Sequence, residues 1–137
     1  MNTMNEVFGE VVHAYSRAQA IEDGILIDVT EAAKEALFVV PVALSLAAWT
    51  DCVKWTDKDG QRQPHQDEDW RLWDVLFMAN LAVARNRLGL GWTLKFLVSR
   101  IPRGGKAWRP RLVDLVCAIG PGDSGEPVIT IMLPGEN

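Results

Sequence analysis

Residues 92–133 read WTLKFLVSRIPRGGKAWRPRLVDLVCAIGPGDSGEPVITIML and decide the fold of this chain. From Trp92 to Ser99 apolar and polar residues alternate, which is the two-residue period of a half-buried strand. Two further apolar runs, 111–119 and 128–133, follow turn sequences rich in glycine and proline. Because short turns join neighbouring strands as hairpins, the stretch predicts three consecutive antiparallel strands.

A long helix is predicted immediately before these strands, from Asp67 to Leu88, and Gly89 is expected to end it. The helix is indicated by apolar residues that recur every three or four positions, namely Trp70, Trp73, Leu76, Phe77, Leu81, Ala84 and Leu88. Trp73 and Phe77 lie one turn apart, and we expect both to be buried against the strand that begins at Trp92.

The N-terminal half carries the signals of shorter helices and strands. Ser16 and Gln19 have the spacing of a capping box, which predicts a helix over 17–23 that ends before Gly24. A strand at 25–29 and a helix that begins at Thr30 are expected to follow.

The next segment is less regular. The run 39–44 is predicted to be a strand at the edge of a sheet, because Pro41 cannot donate a hydrogen bond to a neighbour. Ser45 is expected to cap a helix that reaches Trp55. Residues 56–66 have turn composition and are predicted to form the longest exposed loop.

Together these elements predict a single α+β domain over residues 1–137. A C-terminal three-stranded antiparallel sheet is expected to pack on the long central helix, with the shorter N-terminal helices and strands beside it. The length and the hydrophobic fraction of 48% are sufficient for one core.

The sequence also restricts the cellular setting. The two cysteines, Cys52 and Cys117, lie in apolar contexts and are expected to be buried and reduced. No run of 18 apolar residues occurs, and residues 1–16 have no basic segment followed by an apolar one. We therefore expect a cytoplasmic protein with no membrane contact.

Charge is distributed unevenly along the chain. Residues 1–74 contain 14 acidic and 6 basic side chains, whereas residues 75–137 contain 4 acidic and 8 basic ones. Six bases and no acid lie between Lys95 and Arg111, although the net charge is -4. Such a patch attracts an acidic partner, or it pairs with acidic residues of the same chain.

The predicted binding site comes from this patch. It consists of five cations and one aromatic side chain, Arg100, Arg103, Lys106, Trp108, Arg109 and Arg111. Trp108 can anchor in a pocket of a partner, so a protein with an acidic surface is the favoured ligand. Two alternatives remain. The same residues can bind nucleic acid, or they can keep the edge of a sheet solvated.

Catalytic interpretations are weaker. GDSGEP at 122–127 contains the Gly-Asp-Ser-Gly sequence of chymotrypsin-like proteases, but the chain is too short for that fold and the motif is typical of a hairpin turn. Asp23 and Asp28 flank a helix end and are interpreted as capping residues rather than as an acid and base pair. A function that is not enzymatic is therefore favoured, with no predicted catalytic residue or cofactor.

Two further segments contain groups that ligand sites use. His65 with Asp67, Glu68 and Asp69 has metal-ligating groups, but acids in the first turn of a helix explain the pattern, and no metal site is predicted. The third functional alternative is a small enzyme or a nucleotide-binding protein that uses residues 15–30. In that alternative Tyr15, Ser16 and Arg17 approach a phosphate at a helix N-terminus.

Five separated segments carry a family resemblance: YSRAQAIEDGILIDVT at 15–30, PVAL at 41–44, RLWDVL at 71–76, IPRGGKAWRPRLVDLV at 101–116 and GPGDSGEPVITIMLPGE at 120–136. Together and in this order they resemble an uncharacterised family classed as a domain of unknown function and carried by phages, plasmids and integrated elements. The resemblance implies a genetic setting and no catalytic residues. It leads us to expect a mobile-element accessory protein that binds a host or defence protein, such as an inhibitor of restriction or CRISPR systems.

Overall fold

The computed structural model of the chain describes residues 15–86 and 91–136. The expectations for residues 1–14 and for the helix end at Leu88 and Gly89 lie outside this part. The helices are α1 (Arg17–Glu22), α2 (Thr30–Glu35), α3 (Leu46–Cys52), α4 (Asp57–Arg62) and α5 (Glu68–Asn86). The strands are β1 (Leu26–Asp28), β2 (Val42–Ser45), β3 (Trp92–Arg100), β4 (Arg111–Pro121) and β5 (Pro127–Met132).

The five strands of residues 15–86 and 91–136 form one mixed sheet in the order β1-β2-β5-β4-β3. The predicted antiparallel arrangement of β3, β4 and β5 is confirmed, with Phe96 opposite Leu115 and Cys117 opposite Ile131. The prediction of a sheet with three strands is incomplete, because β2 adds to β5 in parallel and β1 adds to β2. The fold is therefore α+β with a five-stranded sheet.

Strand β2 corrects one prediction. It lies inside the sheet, between β1 and β5, and all four of its residues are buried. Pro41 does not prevent this because it comes just before the strand, where its carbonyl accepts a hydrogen bond from the Ile129 amide at 2.9 Å. A proline next to a strand end contributes an acceptor without having to donate.

Helix α5 packs on the sheet through a narrower face than its aromatic residues indicate. Leu72, Val75, Leu76 and Ala79 are buried in the common core with Phe96, Val98, Leu115 and Cys117 of β3 and β4. Trp73 is only partly buried, and its ring stacks on that of Phe77 at 6.1 Å. Phe77 is 47% exposed, so its predicted burial is wrong, and Trp92, at the start of the strand, is 59% exposed.

Residues 56–66 also differ from the prediction, because six of them form α4 instead of a loop. The Thr56 hydroxyl accepts from the Asp59 amide at 3.2 Å, and the Asp59 carboxylate accepts from the Thr56 amide at 2.8 Å. This reciprocal capping box stabilises the first turn of a short helix that contains Gly60, a residue unfavourable in helices.

At the N-terminal end the local signals are largely confirmed. Ser16 caps α1 by accepting from the Gln19 amide at 3.0 Å, whereas the Gln19 side chain binds Asp23 instead of completing a capping box. Gly24 follows the helix with φ of +79°, a conformation that favours glycine. Cys52 and Cys117 are buried, as expected. None of the helices among residues 15–86 and 91–136 is long and apolar enough to cross a membrane.

Candidate functional site

The predicted site lies on the connection between β3 and β4, residues 101–110, which we call the basic loop. The loop turns at Gly104, where φ of +87° requires the conformational freedom of glycine. It contains Arg103, Lys106, Trp108 and Arg109, while Arg100 and Arg111 face each other at its two ends.

Gln63 holds the basic loop in one shape. This buried side chain follows α4, and its amide nitrogen donates to the carbonyl oxygens of Pro102 at 2.7 Å and Ala107 at 2.5 Å. Its carbonyl oxygen accepts from the Gly104 amide at 3.1 Å. One side chain thus satisfies three backbone groups of the loop and fixes its two sides relative to each other.

Arg103 makes the second attachment. Its Nε and Nη2 atoms donate to Asp59 Oδ2 at 3.1 and 2.8 Å. Asp59 is only 2% exposed and also caps α4. Hydrogen bonds from the Thr56 backbone and hydroxyl, together with the Arg103 guanidinium, lower the pKa of Asp59 to about 2. The same carboxylate therefore joins the start of α4 to the basic loop.

Two further arginines support the loop from inside the molecule. Arg100 binds both carboxylate oxygens of Asp51, at 3.1 and 3.2 Å. Arg71 is buried, with its guanidinium 4.7 Å from the centre of the Trp55 ring. It donates to the carbonyl oxygen of Val53 at 3.0 Å and to that of Ile101, the first loop residue, at 3.1 Å. Burial lowers the pKa of Arg71 from its usual value.

The rest of the predicted site points to solvent. Lys106, Trp108, Arg109 and Arg111 are exposed, with Trp108 at 62%. The Arg109 guanidinium lies 4.6 Å from the centre of the Trp108 ring, a cation–π distance. The structure therefore divides the six predicted residues into two groups. Arg100 and Arg103 bind acidic residues of the same chain, whereas the other four form what we call the exposed cluster.

An apolar residue adjoins the exposed cluster. Leu112, the residue after Arg111, is 68% exposed. Leu97 is 46% exposed and lies opposite Asp114, two positions along the strand from Leu112. Both leucines belong to the sheet face opposite the one on which α5 packs. Leu97 lies between the buried Phe96 and Val98 on β3, and Leu112 is on the same face as Leu97 because it lies opposite Ser99.

The GDSGEP segment forms the turn between β4 and β5, as predicted. The Ser124 amide donates to the Glu126 carboxylate at 2.9 Å, and the Gly125 amide to the carbonyl oxygen of Gly122 at 3.0 Å. A Cβ atom at Gly122 would approach the Glu126 carboxylate to 2.6 Å, so a larger residue there would displace the Glu126 side chain. Ser124 is an exposed turn residue.

The N-terminus of α1, where the nucleotide-binding alternative places a phosphate, is occupied by a carboxylate. Asp123 accepts from the amides of Arg17 at 2.7 Å and Ala18 at 3.0 Å, which lowers the pKa of Asp123. The Arg17 guanidinium donates to Thr130 Oγ1 and to the carbonyl oxygen of Ile129, both at 2.7 Å. These groups attach α1 to the sheet and to the turn before β5.

The acidic residues near His65, and the pair Asp23 and Asp28, also have hydrogen-bond partners within the chain. Asp67 accepts from the Asp69 amide at 2.8 Å at the start of α5, and Glu68 accepts from the Trp55 amide at 2.9 Å. Asp23 accepts from the Tyr15 hydroxyl at 2.8 Å, while Asp28 accepts from the Thr30 amide at 3.1 Å. Within residues 15–86 and 91–136, no group of three or more His, Cys, Asp or Glu side chains is arranged to hold a metal ion.

Sequence reasoning missed Gln63 and Asp59, the two residues that shape the basic loop. For Asp59 a signal was present, since Thr56 three residues earlier has capping-box spacing. For Gln63 no local signal exists, because its three partners lie about 40 residues later in the chain.

Comparison with known proteins gives a family and no activity. The model of a family of unknown function (DUF6573) matches residues 1–137. No curated protein and no solved structure matches the chain.

Proposed function

The chain belongs to DUF6573, a family of unknown function, and from its geometry we propose that it is a protein-binding module that is not an enzyme. The proposed contact is the exposed cluster, Lys106, Trp108, Arg109 and Arg111, and the proposed partner is a protein with an acidic surface. The mobile-element setting remains part of the proposal, with a host or defence protein as the partner.

The observation that carries this proposal is the fixed shape of the basic loop around an exposed tryptophan. Gln63 and Asp59 bind the loop through hydrogen bonds to Pro102, Ala107 and Arg103. A loop that is already ordered loses little conformational entropy on binding, so more of the contact energy appears as affinity. Trp108 and Arg109 are residue types in which binding energy is often concentrated.

Charge supports the same proposal. Arg100 and Arg103 are neutralised by Asp51 and Asp59, but the three cations of the exposed cluster make no salt bridge within the described part of the chain. The local positive charge therefore faces solvent on a protein of net charge -4. This arrangement attracts an acidic patch on a partner and repels it from the rest of the surface.

The test is affinity capture with nuclease-treated lysate. A loop variant, Lys106→Glu with Trp108→Ala and Arg109→Glu, is compared with a control, Lys54→Glu with Arg85→Glu, whose two cations are exposed elsewhere. We expect a protein that the wild type and the control recover and that the loop variant loses. Equal recovery by all three proteins contradicts the proposal, provided that their melting temperatures agree.

A second candidate function is binding of single-stranded nucleic acid, which the Trp108 and Arg109 pair favours. An exposed indole ring offers a face on which a base can stack, and neighbouring cations contact phosphates. The overall negative charge of the chain opposes this candidate. The salt dependence of binding separates the two candidates.

A further inference from the structure

A cleft of about 810 Å³ lies at one end of the sheet, away from the turn between β4 and β5. It opens beside the carboxyl ends of β2 and β5, the parallel pair of this sheet, and the start of α3 forms its other wall. Its volume is in the range of small-molecule sites, and carboxyl ends of parallel strands are a common place for them.

The walls of the cleft are mainly apolar. Ile25 and Leu46, whose backbones are joined by a hydrogen bond of 2.9 Å just beyond the end of β2, are 51% and 49% exposed. Leu26, Ala47 and Met132 complete the apolar lining. Large apolar side chains in a concavity gain free energy when an apolar group displaces the water that covers them.

Only one of the three charged residues in the lining lacks a charged partner among residues 15–86 and 91–136. Asp51 binds Arg100, and Arg103 binds Asp59. Glu136 instead accepts from two neutral groups, the Ser45 hydroxyl and the Leu133 amide, both at 2.7 Å and both to Oε2. Its Oε1 accepts no hydrogen bond from any residue that the structure describes.

These contacts give the cleft one oriented negative charge beside an apolar surface. The two donors fix the Glu136 carboxylate through one oxygen and leave the other as an acceptor. A carboxylate in this position favours a cation that also carries hydrogen-bond donors, since hydrogen bonds between charged groups are stronger than neutral ones.

We propose that this cleft binds a small organic cation, a protonated amine carried on an apolar chain or ring. The ammonium group donates to Glu136 Oε1, and the apolar part covers Ile25, Leu46 and Met132. The site is independent of the function proposed above, because it uses other residues and selects the opposite charge.

Three probes of matched length test this proposal: hexylammonium, 1-hexanol and hexanoate, each titrated while amide chemical shifts are recorded. We expect shifts around Leu46 and Met132, and hexylammonium to bind about tenfold more tightly than 1-hexanol, the ratio that one charged hydrogen bond supplies. Hexanoate should bind most weakly.

Variants assign the preference to Glu136. Glu136→Gln keeps an oxygen acceptor for Ser45 and Leu133 and should abolish the preference for hexylammonium while 1-hexanol still binds. Glu35→Gln, an exposed change on α2, should leave all three affinities unchanged. Ala47→Phe, at an exposed position of the lining, should weaken all three probes by filling the cleft.

Any of three results would overturn the proposal: no binding of hexylammonium to the wild type, equal affinity for the three probes, or a preference that survives Glu136→Gln. Melting temperatures of the variants are measured first. A destabilised Ala47→Phe variant is replaced by Ile25→Asp, which makes the cleft wall more polar. A destabilised Glu136→Gln variant is replaced by Glu136→Asp, which shortens the reach of the carboxylate.

Discussion

Asp59 connects helix α4 to the basic loop. It caps α4, it binds Arg103 of the basic loop, and it is almost completely buried. A buried charge is stable there because Asp59 Oδ2 accepts hydrogen bonds from Thr56 and forms an ion pair with Arg103. Changes at Asp59 should therefore affect both helix and loop.

Asp59 also predicts how stability depends on pH. Its folded pKa of about 2 lies below the usual value of an unfolded aspartate, about 4, so the stabilisation is complete above pH 4 and is lost as pH falls towards 2. Asp59→Asn should lower the melting temperature at pH 7 and flatten its decline between pH 4 and 2. Melting curves across this pH range provide the measurement.

The matched control is Asp57→Asn, an exposed acid in the same turn of α4. This variant should keep the steep decline of the wild type. An identical pH profile for Asp59→Asn and the wild type would show that the carboxylate does not have the contacts described.

Helix α5 is the element whose buried face was mispredicted from the sequence. Apolar residues cover two adjacent faces of it, and packing selects the face with Leu76 rather than the face with Phe77. Periodicity alone cannot separate these faces, because both have the helical spacing.

Two substitutions on neighbouring residues test this orientation. Leu76→Ala should lower the free energy of unfolding by about 2–5 kcal/mol, because Leu76 is completely buried. Phe77→Ala should cost about 1 kcal/mol, since it loses mainly the contact with Trp73. Urea titrations give both values. A larger loss for Phe77→Ala would reverse the assignment of the buried face.

The basic loop depends for its shape on α4 and on Gln63, the residue that follows this helix. Gln63 makes three hydrogen bonds to the backbone of the loop. Gln63→Leu removes all three hydrogen bonds to the loop, so the Gly104 amide should exchange its hydrogen with solvent markedly faster. Gln61→Leu, an exposed change on α4, is the control and should leave exchange unchanged. Equal exchange rates in the two variants would mean that the loop orders itself without Gln63.

On the scale of the whole molecule, salt separates the two candidate functions of the exposed cluster. For a protein partner, the association rate should fall with salt and Trp108→Ala should cost about 2 kcal/mol or more of binding energy. For nucleic acid, the logarithm of the affinity should fall with that of salt by about 0.7–0.9 per phosphate contact. Lys106, Arg109 and Arg111 would then share the loss evenly.

We expect the first pattern. The measurement is a salt series with the captured protein and, in parallel, with a labelled oligonucleotide, using the wild type and the single variants. Tight oligonucleotide binding at physiological salt, with the loss shared evenly by the cations, would exclude the protein-binding proposal.

The sequence predicted the features that depend on neighbouring residues. The Ser16 cap, the turn at Gly24 and the alternating pattern from Trp92 to Ser99 are local signals, and the structure contains all three elements. The position of β2 was mispredicted because it depends on pairing with β5, more than 80 residues later.

The candidate site was predictable only in part for the same reason. Arg103 and Arg109 lie in one run of basic residues and are indistinguishable there. Arg103 binds Asp59, 44 residues earlier in the chain, whereas Arg109 stacks on its neighbour Trp108. The contact with a distant segment is what distinguishes the two arginines. The uneven distribution of charge along the chain was consistent with ion pairs inside the molecule, but it did not indicate which residues form them.

The order of the strands has a consequence for synthesis of the protein. Strand β5 comes later in the chain than its two neighbours, β2 and β4, and it joins the antiparallel pair of β1 and β2 to the antiparallel pair of β3 and β4. While the chain is still being translated, these two parts have no shared partner strand, and β2 and β4 each present an unpaired edge. Nascent chains that stall before residue 127 should therefore be recognised by chaperones or proteases, whereas chains that contain β5 can close the sheet.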